Sequence, residues 1–220
     1  MIVAIDGPAG CGKSTIAKIL AERHNFLYIN SGNLYRAISL QALRQRISVD
    51  NAQAIIECAR SASIGYSHSG EILLDNEAPG PLLRSRDVDA IVSQVSALPE
   101  VRHVVNALII KIASSDPGRD IVVEGRDMTT VVFPNAEVKF YLDANLEERS
   151  KRRFAQGASS MTYEQIVQNI TMRDEIDKNK PEGSLKIADQ AIYLDTSSLT
   201  IDQVYEKVYR KILTLREANG

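Results

Sequence analysis

Gly7-Pro8-Ala9-Gly10-Cys11-Gly12-Lys13-Ser14 satisfies the pattern Gly-x-x-x-x-Gly-Lys-Ser/Thr, and its surroundings decide what the pattern means. Ile2 to Ile5 before it form a short apolar run, and Ile16, Ile19 and Leu20 after it recur at helical spacing, so the segment reads as strand, glycine-rich loop, helix. Glycines let such a loop wrap with its N–H groups pointing inward at phosphate oxygens, while the start of the following helix adds partial positive charge. Lys13 is then placed to reach the β- and γ-phosphates of a nucleoside triphosphate, and the Ser14 hydroxyl to ligate Mg²⁺. The loop from Gly7 through Thr15 is the expected ATP site. A glycine-rich turn that binds nothing is the alternative, and the coincidence of pattern, strand and helix argues against it.

Further along, Phe26 to Ile29 reads as a second strand, and Leu34 to Leu43 as a helix after a Ser31-Gly32-Asn33 turn. Ile64 to Ser67, a His68-Ser69-Gly70 turn and Ile72 to Leu74 suggest a small hairpin closed by Pro79-Gly80-Pro81, which marks a candidate insertion. An apolar stripe from Val101 to Ile112 begins just after Pro99, a residue tolerated in a first helical turn, and must stop before Pro117-Gly118. The runs 121–123, 138–142 and 191–194 are continuously apolar, as in strands buried on both faces. Thr162 with Gln165 and Thr200 with Gln203 are spaced as capping boxes opening two further helices. This alternation predicts a three-layer α/β fold with a mainly parallel sheet.

The 220 residues suffice for one main core and one small insertion. With 26 Lys and Arg against 28 Asp and Glu, a net charge of -2 excludes a surface built to coat nucleic acid or an anionic membrane. The start lacks the basic region and long apolar core of a signal peptide, and no run reaches about 18 apolar residues, so a cytoplasmic protein is expected. Cys11 and Cys58 lack metal or disulfide spacing and are expected to be free thiols. Nothing in the helical patterns leaves an unexplained apolar face, which predicts a monomer.

The chain lacks the motifs expected of a GTPase: no Asp has Gly three positions on, and Asn179-Lys180-Pro181-Glu182 ends in the wrong residue. A translocase would need a larger module and a basic track. A small-molecule kinase remains. Arg149, Arg152 and Arg153 fall at i, i+3 and i+4 before the flexible composition of 156–160, as a lid requires, and Arg173, Asp177 and Lys180 share a face at i, i+4 and i+7. Solvated pairing, as between Glu148 and Arg152, is the alternative use of such charges.

The sequence resembles the cytidylate kinase family over nearly its whole length. The resemblance is carried by residues 5–15, Ser31-Gly32-Asn33-Leu34-Tyr35-Arg36, Ser93-Gln94-Val95 with Pro99 and Arg102, Val123-Glu124-Gly125-Arg126-Asp127-Met128, Val131-Val132-Phe133-Pro134, and Arg173-Asp174 with Asp177. It implies a P-loop kinase fold with five parallel strands, an NMP-binding insertion at about residues 60–92 and a short lid within 154–180. It also implies ATP-dependent phosphorylation of CMP and dCMP.

By the resemblance, Ser31, Arg36, Arg126 and Asp127 form the floor of the monophosphate site, Ser93 and Arg102 read the cytosine, and Asp177 holds a ribose hydroxyl. Lys13, Arg126, Arg173 and Lys180 are the cations expected on the transferring phosphoryl group, with Arg149 and Arg153 on the ATP side. Arginines match phosphate oxygens with paired donors, although an ion pair of Arg126 with Glu124 is an alternative. Three positions depart from the family pattern: Thr129 stands where glycine is usual, Lys180 where arginine is usual, and Ile176 at a position often basic. An ammonium cannot bind bidentately as a guanidinium does.

Overall fold

A computed structural model describes residues 1–66, 71–157 and 161–219, with side chains through residue 217. The first strand, β1 (Ile2–Asp6), leads through the glycine-rich loop into α1 (Lys13–His24), as the pattern predicts. Then follow β2 (Leu27–Asn30), α2 (Ser31–Arg44), α3 (Ala52–Ser61) and the hairpin strands β3 (Ile64–Tyr66) and β4 (Ile72–Leu74). The expected His68-Ser69-Gly70 turn lies outside the described residues. A short 3₁₀ turn (Gly80–Arg84) precedes α4 (Arg86–Ala97) and α5 (Pro99–Ala113), and β5 (Ile121–Gly125) is followed by a π-type turn over Met128–Val132. The chain finishes with β6 (Val138–Asp143), α6 (Leu146–Ala155), α7 (Tyr163–Asn179), β7 (Ile192–Asp195) and α8 (Ile201–Asn219). Residues 158–160 of the anticipated lid also fall outside the described part.

Five strands form one sheet in the order β2-β5-β1-β6-β7, every neighbouring pair parallel. Alternation along β1 shows why helices must cover both faces. Ala4 joins Ile29, Val123 and the apolar sides of α2, α4 and α5, while Val3 and Ile5 join Val122, Phe140 and the apolar sides of α1 and α8. With β1 at the centre, the loop after it emerges between the ends of β5 and β6, in the crevice where open α/β sheets bind ligands.

Local chemistry sets the helix starts. Both capping boxes are present: the Thr162 hydroxyl accepts from the Gln165 N–H while the Gln165 side chain accepts from the Thr162 N–H, and Thr200 and Gln203 do the same. Ser31-Gly32-Asn33, expected as a turn, is instead the first turn of α2. The Asn30 side chain accepts from the Asn33 N–H and so starts the helix at Ser31. This aims the beginning of α2 at the end of β5. The segment with β3, β4 and the start of α4 has no core of its own, since Ile72, Leu74, Leu83, Val88 and Val92 pack into the α2–α5 side of the central core.

Candidate active site

The loop between β1 and α1 is pressed against the sheet. Gly7 has φ +150°, and a Cβ there would lie 1.9 Å from the carbonyl oxygen of Leu142, so no larger residue fits between loop and strand. Lys13 opens α1, and its ammonium folds back to donate to the carbonyl oxygen of Pro8 at 2.7 Å, with Cys11 Sγ 3.6 Å away. Burial pushes the Lys13 pKa below its usual value. Cys11 and Cys58 are free and buried.

Ser14 donates to Glu124 Oε1 at 2.6 Å, and the same carboxylate oxygen accepts from Asn30 Nδ2 at 2.5 Å and Tyr28 OH at 3.1 Å. Glu124, next to the last residue of β5, is a candidate carboxylate to which the sequence analysis gave no site role, naming it only within a family motif and as an ion-pair partner for Arg126. An acidic residue closing a strand buried on both faces, beside the loop strand, was the available signal. A hydroxyl and a carboxylate side by side are hard oxygen donors, and this pair fits Mg²⁺.

Across from the loop, Arg126 pairs with Asp177 at 2.6 Å rather than with Glu124. Burial would raise the Asp177 pKa, but Arg126 and Lys180 hold it well below the ordinary carboxylate range. Lys180 Nζ lies 3.4 Å from Asp177 and is pushed down to about 8, first by burial and then by Arg102 and Arg126 against the pull of Asp177. Arg173 is held at about 10 by burial and by repulsion from Arg36 and Arg126. Its Nε is buried without a partner among the described residues, an orphaned donor of the sort that an incoming oxyanion satisfies.

Arg102 and Asp127 form a buried pair at 2.5 Å, and Arg102 also donates to the carbonyl oxygen of Ser96 at 2.9 Å. The Arg102 guanidinium lies 5.5 Å from the centre of the Tyr35 ring, whose hydroxyl is buried with no hydrogen-bond partner among the described residues. Gly183 closes over this pair: a Cβ there would sit 2.2 Å from Arg102 and 2.3 Å from Asp127. Ser31 donates to the carbonyl oxygen of Glu124 at 2.9 Å, tying the start of α2 to the end of β5.

The lid arginines divide. Arg149 is spent on the protein, donating to the carbonyl oxygens of Ala144 at 2.9 Å and Ala9 at 3.2 Å and pairing with Asp174 at 2.7 Å. It clasps the loop to α6 and α7. Arg152 makes the anticipated pair with Glu148 and also donates to the Thr196 hydroxyl and carbonyl. Arg153 reaches Asp89 at 3.0 Å. Thr129 donates its hydroxyl and its N–H to Asp6 Oδ2, at 2.6 and 2.7 Å, and the Met128 N–H serves the other oxygen at 3.0 Å. That departure from the family pattern thus joins the end of β1 to the turn after Arg126-Asp127.

One cavity of about 1040 Å³ holds these groups. Lys13 and Ser14 line it, and so do Ser31, Arg36, Ser93, Arg102, Arg126, Asp127, Asp177, Arg153, Arg173 and Lys180. Arg149 does not. Parallel sheet, phosphate loop and facing cations together define a P-loop phosphotransferase.

The family model described as cytidylate kinase matches residues 3–214. A cytidylate kinase of Caldanaerobacter subterraneus is 42% identical over 214 residues, 96% of this chain and 93% of the relative, and one of Clostridioides difficile is 37% identical over 215 residues, 96% and 98%. The chain belongs to the cytidylate kinase family, and it is an enzyme of the nucleoside monophosphate kinase class. The crystal structure of an uncharacterized protein from Eubacterium ventriosum shares the fold at 13% identity, with a TM-score of 0.54 over 96% of this chain and 98% of that one.

Proposed function

We propose that this protein transfers the γ-phosphoryl group of ATP to CMP, and to dCMP, giving ADP and CDP or dCDP. The observation that supports the reading is that the loop residues Lys13 and Ser14 line one cavity together with Arg36, Arg102, Arg126, Asp127, Arg173 and Asp177. Arg126, Arg173 and Arg36 would hold the acceptor phosphate, Arg102, Asp127 and Ser93 the cytosine, and Asp177 a ribose hydroxyl. A carboxylate beside a guanidinium offers the acceptor and donors that a cytosine edge requires.

A nucleoside monophosphate brings an attacking oxygen already ionised near neutral pH, so no general base is needed and catalysis reduces to alignment and charge neutralisation. Lys13, Arg126, Arg173 and Lys180 supply the cations. Ser14 and Glu124 would hold Mg²⁺, which when bound neutralises charge on the donor phosphates. The whole chain acts as one kinase domain, with residues 60–92 covering the acceptor and 154–180 closing as a lid that keeps water from the phosphoryl group.

We also read the protein as a cytoplasmic monomer with nucleotides as its only required partners. Its near-neutral charge supports this, and among the described residues no helix is long and apolar enough to cross a membrane. The test is a panel of acceptors, CMP, dCMP, UMP and shikimate, with ATP and Mg²⁺ and product formation as readout. CMP and dCMP should dominate; turnover of shikimate or UMP in their place would overturn the assignment, as would no product with any acceptor.

A further inference from the structure

Asp89 sits in the first turn of α4, 6% exposed, and gathers guanidiniums from three helices. Its carboxylate lies 2.6 Å from Arg36 on α2, 3.0 Å from Arg153 on α6 and 4.0 Å from Arg173 on α7. Arg36 and Arg173 are two of the three arginines read above as holding the acceptor phosphate. The Arg36 fork is fully engaged by protein, one terminal nitrogen on Asp89 and the other on the carbonyl oxygen of Leu83 at 2.8 Å.

A carboxylate presents a guanidinium with the same paired oxygens as a phosphate. We propose that Asp89 is an internal counter-ion that competes with the acceptor's phosphate for Arg36, Arg153 and Arg173, tying α4 to the lid helices until that phosphate displaces it. This rests on the reading of Arg36 and Arg173 as phosphate holders.

Electrostatics explains both the association and its cost. Several guanidiniums brought together away from water repel one another, and the repulsion is felt at Arg36, which burial, Arg84 and Arg153 disfavour while Asp89 supports its charge. The carboxylate keeps the cluster assembled. When a phosphate dianion enters, Asp89 either withdraws and loses its partners or stays and repels the newcomer, and both outcomes weaken phosphate binding. A singly charged oxyanion gains nothing over the carboxylate, whereas a dianion does, so the device favours a terminal phosphate over weaker anions.

The experiment compares wild type with Asp89→Asn, Asp89→Ser and Asp89→Glu by calorimetric titration with CMP, inorganic phosphate and cytidine. The Asn and Ser variants should bind CMP and inorganic phosphate several-fold more tightly, cytidine should bind all forms alike, and the Glu variant should match wild type. Unchanged or weaker CMP binding in the neutral variants overturns the proposal, and so does equal tightening for cytidine. A measurement on wild type alone guards against misfolding of the variants: the side-chain carboxyl carbon resonance of Asp89 should move on adding CMP or phosphate but not cytidine, and a stationary resonance refutes displacement. Failure of wild type to bind CMP at all would instead remove the acceptor reading beneath it.

Discussion

Replacing Lys180 by methionine should make the protein more stable and less useful. The Lys180 ammonium is almost fully buried, and its pKa falls from 10.5 to about 8 in the folded chain. Below about pH 8 folded and unfolded chains both carry the charge, and the folded chain bears the whole cost of burying it. Between pH 8 and 10.5 the folded chain has lost the proton while the unfolded chain keeps it, so stability rises with pH until the cost is gone. Converted at about 1.4 kcal/mol per unit, the cost is about 3 kcal/mol at pH 7 and falls to about 1 kcal/mol at pH 9.5.

Lys180→Met, which keeps the unbranched stem while removing the ammonium and leaves Asp177 its Arg126 partner, should therefore gain about 3 kcal/mol at pH 7 and about 1 kcal/mol at pH 9.5 in urea unfolding. On the proposed role of Lys180 at the transferring phosphoryl group, its kcat with CMP should fall by about tenfold as one buried cation is lost. In wild type the kcat with CMP should fall as pH passes from 7 to 9, and Lys180→Arg should flatten that profile because a guanidinium does not titrate there. A variant no more stable than wild type at pH 7, or a gain that is the same at both pH values, would refute the reasoning.

Lys13→Ala should lower turnover by orders of magnitude with an unchanged circular dichroism spectrum, and near-normal turnover would remove Lys13 from its role. Thr129→Val takes one of three donors from the buried Asp6 and should cost about 1–3 kcal/mol in chemical denaturation, with Thr129→Ser restoring most of it; a silent Val variant would mean the hydroxyl contributes nothing. Gly183→Ala should raise the KM for CMP while leaving the KM for ATP near wild type, since the new methyl group falls on Arg102 and Asp127 and not on the loop; an equal rise in both would contradict the placement.

The phosphate loop of the candidate site was legible because its determinants are local. The phosphate loop needs consecutive glycines, one lysine and one hydroxyl between a strand and a helix, and all of these lie within residues 2–20. The capping boxes are three-residue relationships and were found where predicted. The first turn of α2 was missed because Ser31-Gly32-Asn33 has turn composition, and the Asn30 cap that makes it helical sits one residue upstream.

By itself the sequence determined the strand–loop–helix start and the doubly covered parallel sheet, since each follows from spacing or composition along the chain, while the acceptor-site residues were named only through the family resemblance. Only the tertiary structure decided which charges meet. Glu124 reaches Ser14 across 110 positions, Arg126 takes Asp177 rather than its near neighbour, Arg149 turns inward to Ala9 and Asp174, and Asp89 collects arginines from three helices. Pairing strength depends on separation in space and on exclusion of water, and neither quantity exists until the sheet has brought distant segments to one edge.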